Sequence, residues 1–141
     1  MRDEACIFCK IANGEIPSDT IYEDENFRVI LDLSPISKGH ALILPKEHCR
    51  NLFELNEDIA KQALLVAKRV GGYMVEALDC RGMNLLQNNG EEAGQTVMHF
   101  HIHLIPRYEG EDGKTNWQAH ASDPETQKKL AAKIRAVAAR G

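Results

Sequence analysis

The sequence lacks any long hydrophobic run. No uninterrupted apolar stretch exceeds five residues, as at Ala63 to Ala67, against the roughly 20 needed to cross a bilayer as a helix, so no membrane partner is expected. It also lacks an excess of positive charge: 17 Lys and Arg stand against 21 Asp and Glu, giving a net charge of −4 and a pI near 5.9. A polyphosphate backbone usually selects a basic surface, so a nucleic-acid polymer is a poor candidate partner. The opening residues Met1-Arg2-Asp3-Glu4-Ala5-Cys6 lack the basic start and greasy stretch of a secretory signal, and a cytoplasmic location is expected. Repeats, linkers and low-complexity tracts are missing too.

What remains is ordinary globular material. With 141 residues, 43% of them apolar and 27% charged, the chain can bury a normal core and falls in the size range of one domain. Of the four cysteines, Cys6 and Cys9 form a Cys-x-x-Cys pair, which in a reducing compartment points to metal or redox chemistry more than to a disulfide.

Local signals divide the chain further. Residues 6–16 read as a short helical turn ending at Asn13-Gly14. Thr20–Glu23 and Phe27–Leu33 read as a hairpin around Asp24-Glu25-Asn26, broken by Ser34-Pro35. His40–Leu44 is a strand stopped by Pro45. From Asn56 the period changes: Ile59, Ala63, Val66, Ala67, Val70 and Met74 recur at helical spacing to Leu78. Gly71-Gly72 inside this helix predicts close packing or a kink. Met83–Gln87 reads as a strand, Asn88–Gln95 as a loop, and Asp123-Pro124-Glu125 opens a second helix through Leu130, Ile134 and Val137. The expected architecture is α+β, a mainly antiparallel sheet of about five strands with two principal helices.

The segment Val97–Ile105 carries His99, His101 and His103 at strict alternation. Read as a strand, it places the three imidazoles on one face with Val97 and Ile105, and Met98, Phe100, Ile102 and Leu104 on the other. At ~3.3 Å rise per residue the outer pair is about 13 Å apart. One ion would hardly gather all three, so the histidines are expected to have different jobs. An iron or copper oxygenase site conflicts with this geometry and lacks a carboxylate at suitable spacing.

The string His99-Phe100-His101-Ile102-His103-Leu104-Ile105, preceded by Gly94-Gln95-Thr96-Val97, resembles the signature of the histidine triad family. Asp32-Leu33-Ser34-Pro35, Gly39-His40-Ala41-Leu42-Ile43-Leu44-Pro45-Lys46 and Asn88-Asn89-Gly90 fall in that family's order and spacing, so the resemblance covers about 6–107 and implies a single domain with an extension and helix over 108–141. The resemblance implies a nucleotide hydrolase or nucleotidyl transferase acting at an α-phosphate of a nucleoside phosphoramidate or a dinucleoside polyphosphate. It implies His101 as nucleophile through a nucleotidyl-histidine, with His103 hydrogen-bonding phosphate oxygens. Gln95 and Thr96 match positions that contact the phosphate and leaving group. His40 matches a fourth histidine behind the triad, and Asn88 a polar residue near the phosphate. Asp32 matches a carboxylate that binds the ribose hydroxyls. Ile7, Phe8, Ile11, Ile30 and Leu33 correspond to the apolar base pocket for a purine mononucleotide. Mixed features leave the leaving group open, and Lys114 and Trp117 receive no role.

Two thiolates and two imidazoles, Cys6, Cys9, His48 and His99, compose a closed Cys2His2 set suited to structural zinc. Some family members carry zinc at matching positions, so the chain resembles a zinc-containing bacterial-type member. A redox role for Cys6 and Cys9 lacks the flanking strand and long helix of a thioredoxin-like site. Cys49 and Cys80 are expected to be free thiols, with Cys49 an alternative ligand. The resemblance further implies a homodimer with sheets meeting edge to edge around the long helix. A non-catalytic, zinc-stabilised nucleotide-binding or sensing module is the alternative function.

Overall fold

The computed structural model describes residues 2–112 and 117–140; Lys114 lies outside them. Helix α1 (Ile7–Ala12) starts at Cys6, whose Sγ accepts from Cys9 N, and ends where Asn13 Nδ2 donates to Cys9 O at 2.8 Å. Gly14 then takes a φ of +82°, the left-handed conformation that glycine adopts without strain. Strands β1 (Thr20–Glu23) and β2 (Phe27–Leu31) form the expected hairpin. Asp24 builds the turn, its Oδ1 accepting from both Asn26 N and Phe27 N at 2.8 Å.

Strand β2 stops at Leu31, two residues before the expected end. Asp32 N donates to His40 O, and Asp32 Oδ1 accepts from Ser34 N, so the chain has already turned. Strand β3 (Ala41–Pro45) is buried throughout. Helix α2 (Glu57–Leu78) begins under Asn56, whose Oδ1 accepts from Asp58 N and Ile59 N. It runs unbroken through Gly71-Gly72 with no kink; Gly71 is buried and packs toward Met83, whose Sδ would lie 3.4 Å from a Cβ at that position, while Gly72 faces open space. Strands β4 (Gly82–Leu86) and β5 (Ile102–Arg107) complete the sheet. Helix α3 (Pro124–Arg140) starts behind Asp123, whose Oδ2 accepts from Thr126 N.

All pairings are antiparallel, in the order β1-β2-β3-β5-β4. The register sorts residues by face: Ala41 pairs with Leu104 and Leu42 with His103. One face carries Val29, Ile43, Ile102 and Leu104 into a core closed by Val66, Val70 and Met74 of α2 and Ala131 and Ile134 of α3. The opposite face carries Ile30, Leu42 and Leu44, covered by Phe8, Ile11 and Ala12. This second face holds His103. The Arg107 guanidinium lies over the ring of Trp117, 5.0 Å from its centroid.

The expected nine-residue strand of histidines is cut to its second half. Pairing with β3 ends at Ile43 opposite Ile102, because the next outward positions lead to Pro45, which has no N–H to offer. Its carbonyl is captured by the ring of His99, Nε2 to O at 2.8 Å, while Phe100 N turns to Cys49 O. Residues 97–101 therefore bend, and the three imidazoles do not form a straight ladder.

Candidate active site and metal centre

The bend separates the histidines by job. His101 is held by its own loop, with Nδ1 donating to His99 O at 2.7 Å. Burial lowers its pKa and keeps the ring neutral, so the proton sits on Nδ1 and Nε2 presents a lone pair. His103 is fixed through His40. Ile36 N donates to His40 Nδ1 at 3.0 Å, which places the His40 proton on Nε2, and this atom lies 2.9 Å from His103 Nδ1. His103 must accept there, leaving its Nε2–H as a donor. Burial pushes the His103 pKa down to about 4, assisted by His101 and His40. Burial also lowers the pKa of His40, opposed by the carboxylate of Asp32, whose Oδ2 is 3.5 Å from His40 Nε2. The result is a neutral pair, a bare nitrogen beside an N–H donor, with ring centroids 5.0 Å apart.

Both rings open onto a cleft of about 350 Å³. Its apolar wall includes Ile7, Phe8 and Ile11 from α1 with Ile30 and Leu33 from the β2 end; Asp32 and Thr96 are among its polar members. Phe8 stands edge-on to His101 at 5.1 Å between centroids. Leu31, Ser34, Leu42 and Val97 also line it and were missed by sequence reasoning. Leu42 was findable in principle as the cross-strand neighbour of His103. Gln95 and Asn88 are not among the cleft-lining residues. Gln95 is only 3% exposed, and its amide is spent on the loop: Nε2 donates to Arg50 O and Val97 O, and Oε1 accepts from Gly90 N. It sets the position of its neighbour Thr96.

His99 belongs to a second cluster with Cys6, Cys9 and His48, whose donor atoms lie within 4.8 Å of one another. Because His99 Nε2 donates to Pro45 O, its Nδ1 lone pair faces inward, the tautomer a metal ligand needs. A tetrahedron with Zn–N about 2.0–2.1 Å and Zn–S about 2.3 Å has N···N edges of about 3.3 Å and S···N edges of about 3.6 Å. The two Nδ1 atoms are 3.3 Å apart, and the S···N contacts from Cys6 and Cys9 are 3.3–3.5 Å. The donor set fits. Cys49 lies outside it, its backbone carbonyl engaged by Phe100 N and its thiol pushed by burial up to about 11. Neither Cys6 nor Cys9 is in a disulfide.

Fold and sites together define an α+β protein that presents a neutral histidine pair on a small-molecule cleft beside a Cys2His2 cluster. The chain belongs to the HIT domain family, whose model matches residues 13–110. It is 45% identical over 121 residues to the protein named "Protein hit" of Bacillus subtilis, covering 85% of this chain and 83% of that one. It is 39% identical over 131 residues to an adenosine 5'-monophosphoramidase of Schizosaccharomyces pombe, covering 92% and 96%. Among solved structures, a hypothetical histidine triad nucleotide-binding protein of Sulfolobus tokodaii superposes with a TM-score of 0.87 at 36% identity, covering 96% of this chain and 93% of that chain. A zinc-bound histidine triad family protein of Mycobacterium smegmatis does so with 0.84 at 34%, covering 96% and 94%.

Proposed function

We propose that this protein is a nucleotide hydrolase that transfers the nucleotidyl group of a nucleoside phosphoramidate or dinucleoside polyphosphate to water through His101. The observation that carries this reading is the hydrogen bond from His101 Nδ1 to His99 O, which leaves Nε2 bare toward the cleft. Nε2 attacks the α-phosphorus, a P–N bond forms, and the bond to the leaving group breaks. The Nε2–H of His103 donates to a phosphate oxygen or to the departing atom, where negative charge grows. Water then cleaves the P–N bond, releasing the nucleoside monophosphate and neutral His101. Thr96 sits at the phosphate end, Asp32 takes the ribose hydroxyls, and Ile7, Phe8, Ile11, Ile30 and Leu33 enclose the base. Gln95 and Asn88 act through the loop that holds Thr96.

The names of relatives support a nucleotide substrate: adenosine 5'-monophosphoramidases in two yeasts, and an adenylylsulfatase of Arabidopsis thaliana that is 42% identical over 104 residues. The leaving groups of these named activities differ, an amine or a sulfate, while the adenylyl half is shared. Cys6, Cys9, His48 and His99 would hold a structural Zn2+, which, when bound, fastens α1 and its Phe8 against the loop before β5. We also read the chain as a homodimer. Leu64, Val75 and the open backbone of Gly72 lie on one stripe of α2, and Leu85 stands 51% exposed on the edge strand β4.

The test of the covalent step is quench in alkaline denaturant, which spares a P–N bond, during turnover of substrate labelled at the α-phosphate. Acid-labile label should remain on the wild-type protein and be missing from His101→Ala. Turnover with no label retained would favour direct attack by water, and binding with no turnover the sensing module.

A further inference from the structure

The cleft does not end at the apolar wall. A second cavity of about 360 Å³ shares Ile7, Ile11, Ile30, Leu31 and Leu33 with it, and its remaining lining is Ile16, Pro17, Ser18, Asp19 and Lys128, the last two its charged members. The catalytic histidines and Asp32 line only the first cavity. Given the reading of that cleft as a nucleotide site, a mononucleotide with phosphate at His101 and ribose at Asp32 lays its base among the shared residues. The base edge farthest from the sugar then enters the second cavity.

We infer that Asp19 and Lys128 read this edge and select guanine over adenine. Guanine presents two neighbouring donors, N1–H and the N2 amino group, beside the acceptor O6. A carboxylate takes both donors in a two-pronged contact, and an ammonium serves O6. Adenine presents only the N6 amino group as donor on that edge, and its N1 lone pair would face a carboxylate oxygen. The two residues come from separate elements. Asp19 precedes β1, its backbone fixed where Leu31 N donates to Asp19 O at 3.0 Å, and Lys128 lies near the start of α3. Ser18 does not compete, because its hydroxyl is paired with that of Thr20 at 2.9 Å.

Calorimetric titration of the full chain with GMP, AMP and IMP tests the assignment, repeated with Asp19→Asn and Lys128→Gln. GMP should bind about tenfold or more tighter than AMP, which is about 1.4 kcal/mol. IMP, which keeps N1–H and O6 but lacks the N2 amino group, should fall between. Asp19→Asn should bring GMP and AMP to about equal affinity by weakening GMP, since a site built to accept two donors loses most when its acceptors are removed. Lys128→Gln should shrink the gap less. AMP affinity of each variant reports whether the rest of the cleft is intact. AMP binding as tightly as GMP, or a preference that survives Asp19→Asn, overturns the base assignment alone. Failure of all three nucleotides to bind overturns it together with the nucleotide site.

Discussion

At the level of single residues, the chemistry turns on which ring nitrogen carries each proton. The chain of donors runs from Ile36 N to His40 Nδ1 and from His40 Nε2 to His103 Nδ1, while His101 is oriented by a backbone carbonyl. Each ring is useful only when neutral. His103 faces His101, His40 and Asp32; burial dominates and holds its pKa at about 4. In an unfolded chain the same ring titrates near 6.5. Between about pH 6.5 and 4 the unfolded state therefore binds more protons, and stability falls as the pH drops through that window. NMR titration should place the His103 midpoint near 4, and a midpoint near 6.5 would contradict the burial and the His40 contact. His40→Ala should lower kcat while His101 stays neutral, because His103 loses the partner that fixes its tautomer. Restoration of the wild-type rate at higher pH would show that the loss was one of charge instead.

At the element scale, α1 is six residues long and would not persist alone. Its apolar side covers Ile30, Leu42 and Leu44, and its start lies in the Cys2His2 cluster. Chelation is therefore expected to lower the melting temperature and weaken nucleotide binding, because Phe8, Ile7 and Ile11 lose their anchor. His99→Ala should lose the bound metal, and unchanged metal content by elemental analysis would refute its assignment. For α2, Met74→Ala removes a fully buried side chain and should cost about 2–5 kcal/mol in denaturant unfolding. Asn56→Ala should cost about 1 kcal/mol through the lost cap. These elements were legible in the sequence because their signals are local: Asn56 followed by a helical stripe, Asp24 in a tight turn, and Asp123-Pro124. The strand expected before Ile102 does not form, because alternation is a local pattern, whereas pairing there is decided by Pro45 and by His99 capturing the Pro45 carbonyl, contacts across 54 positions.

At the scale of the whole molecule, the two faces of one sheet divide the work. The face under α2 and α3 holds the larger core, and the other carries His103 and the cleft. The family resemblance gave the residues that converge there, from Ile7 to His103, although composition alone would not have gathered them. Gln95 shows the limit: the resemblance implies contact with the phosphate or leaving group, and only the folded loop reveals its amide bound to Arg50, Val97 and Gly90. Sedimentation should report about twice the 15.8 kDa chain mass, since the apolar stripe of α2 and Leu85 would otherwise face water. Leu64→Glu should shift the population to monomer, and a wild-type monomer at micromolar concentration would contradict the dimer.

The most direct measurement is turnover of adenosine phosphoramidate and of a diadenosine polyphosphate by the wild-type chain and by His101→Ala, side by side. A nucleophilic His101 requires that wild type releases AMP from at least one substrate and that the variant is slower on the order of 10³-fold or more, with its fold and metal content retained. Turnover by His101→Ala close to that of wild type would contradict it.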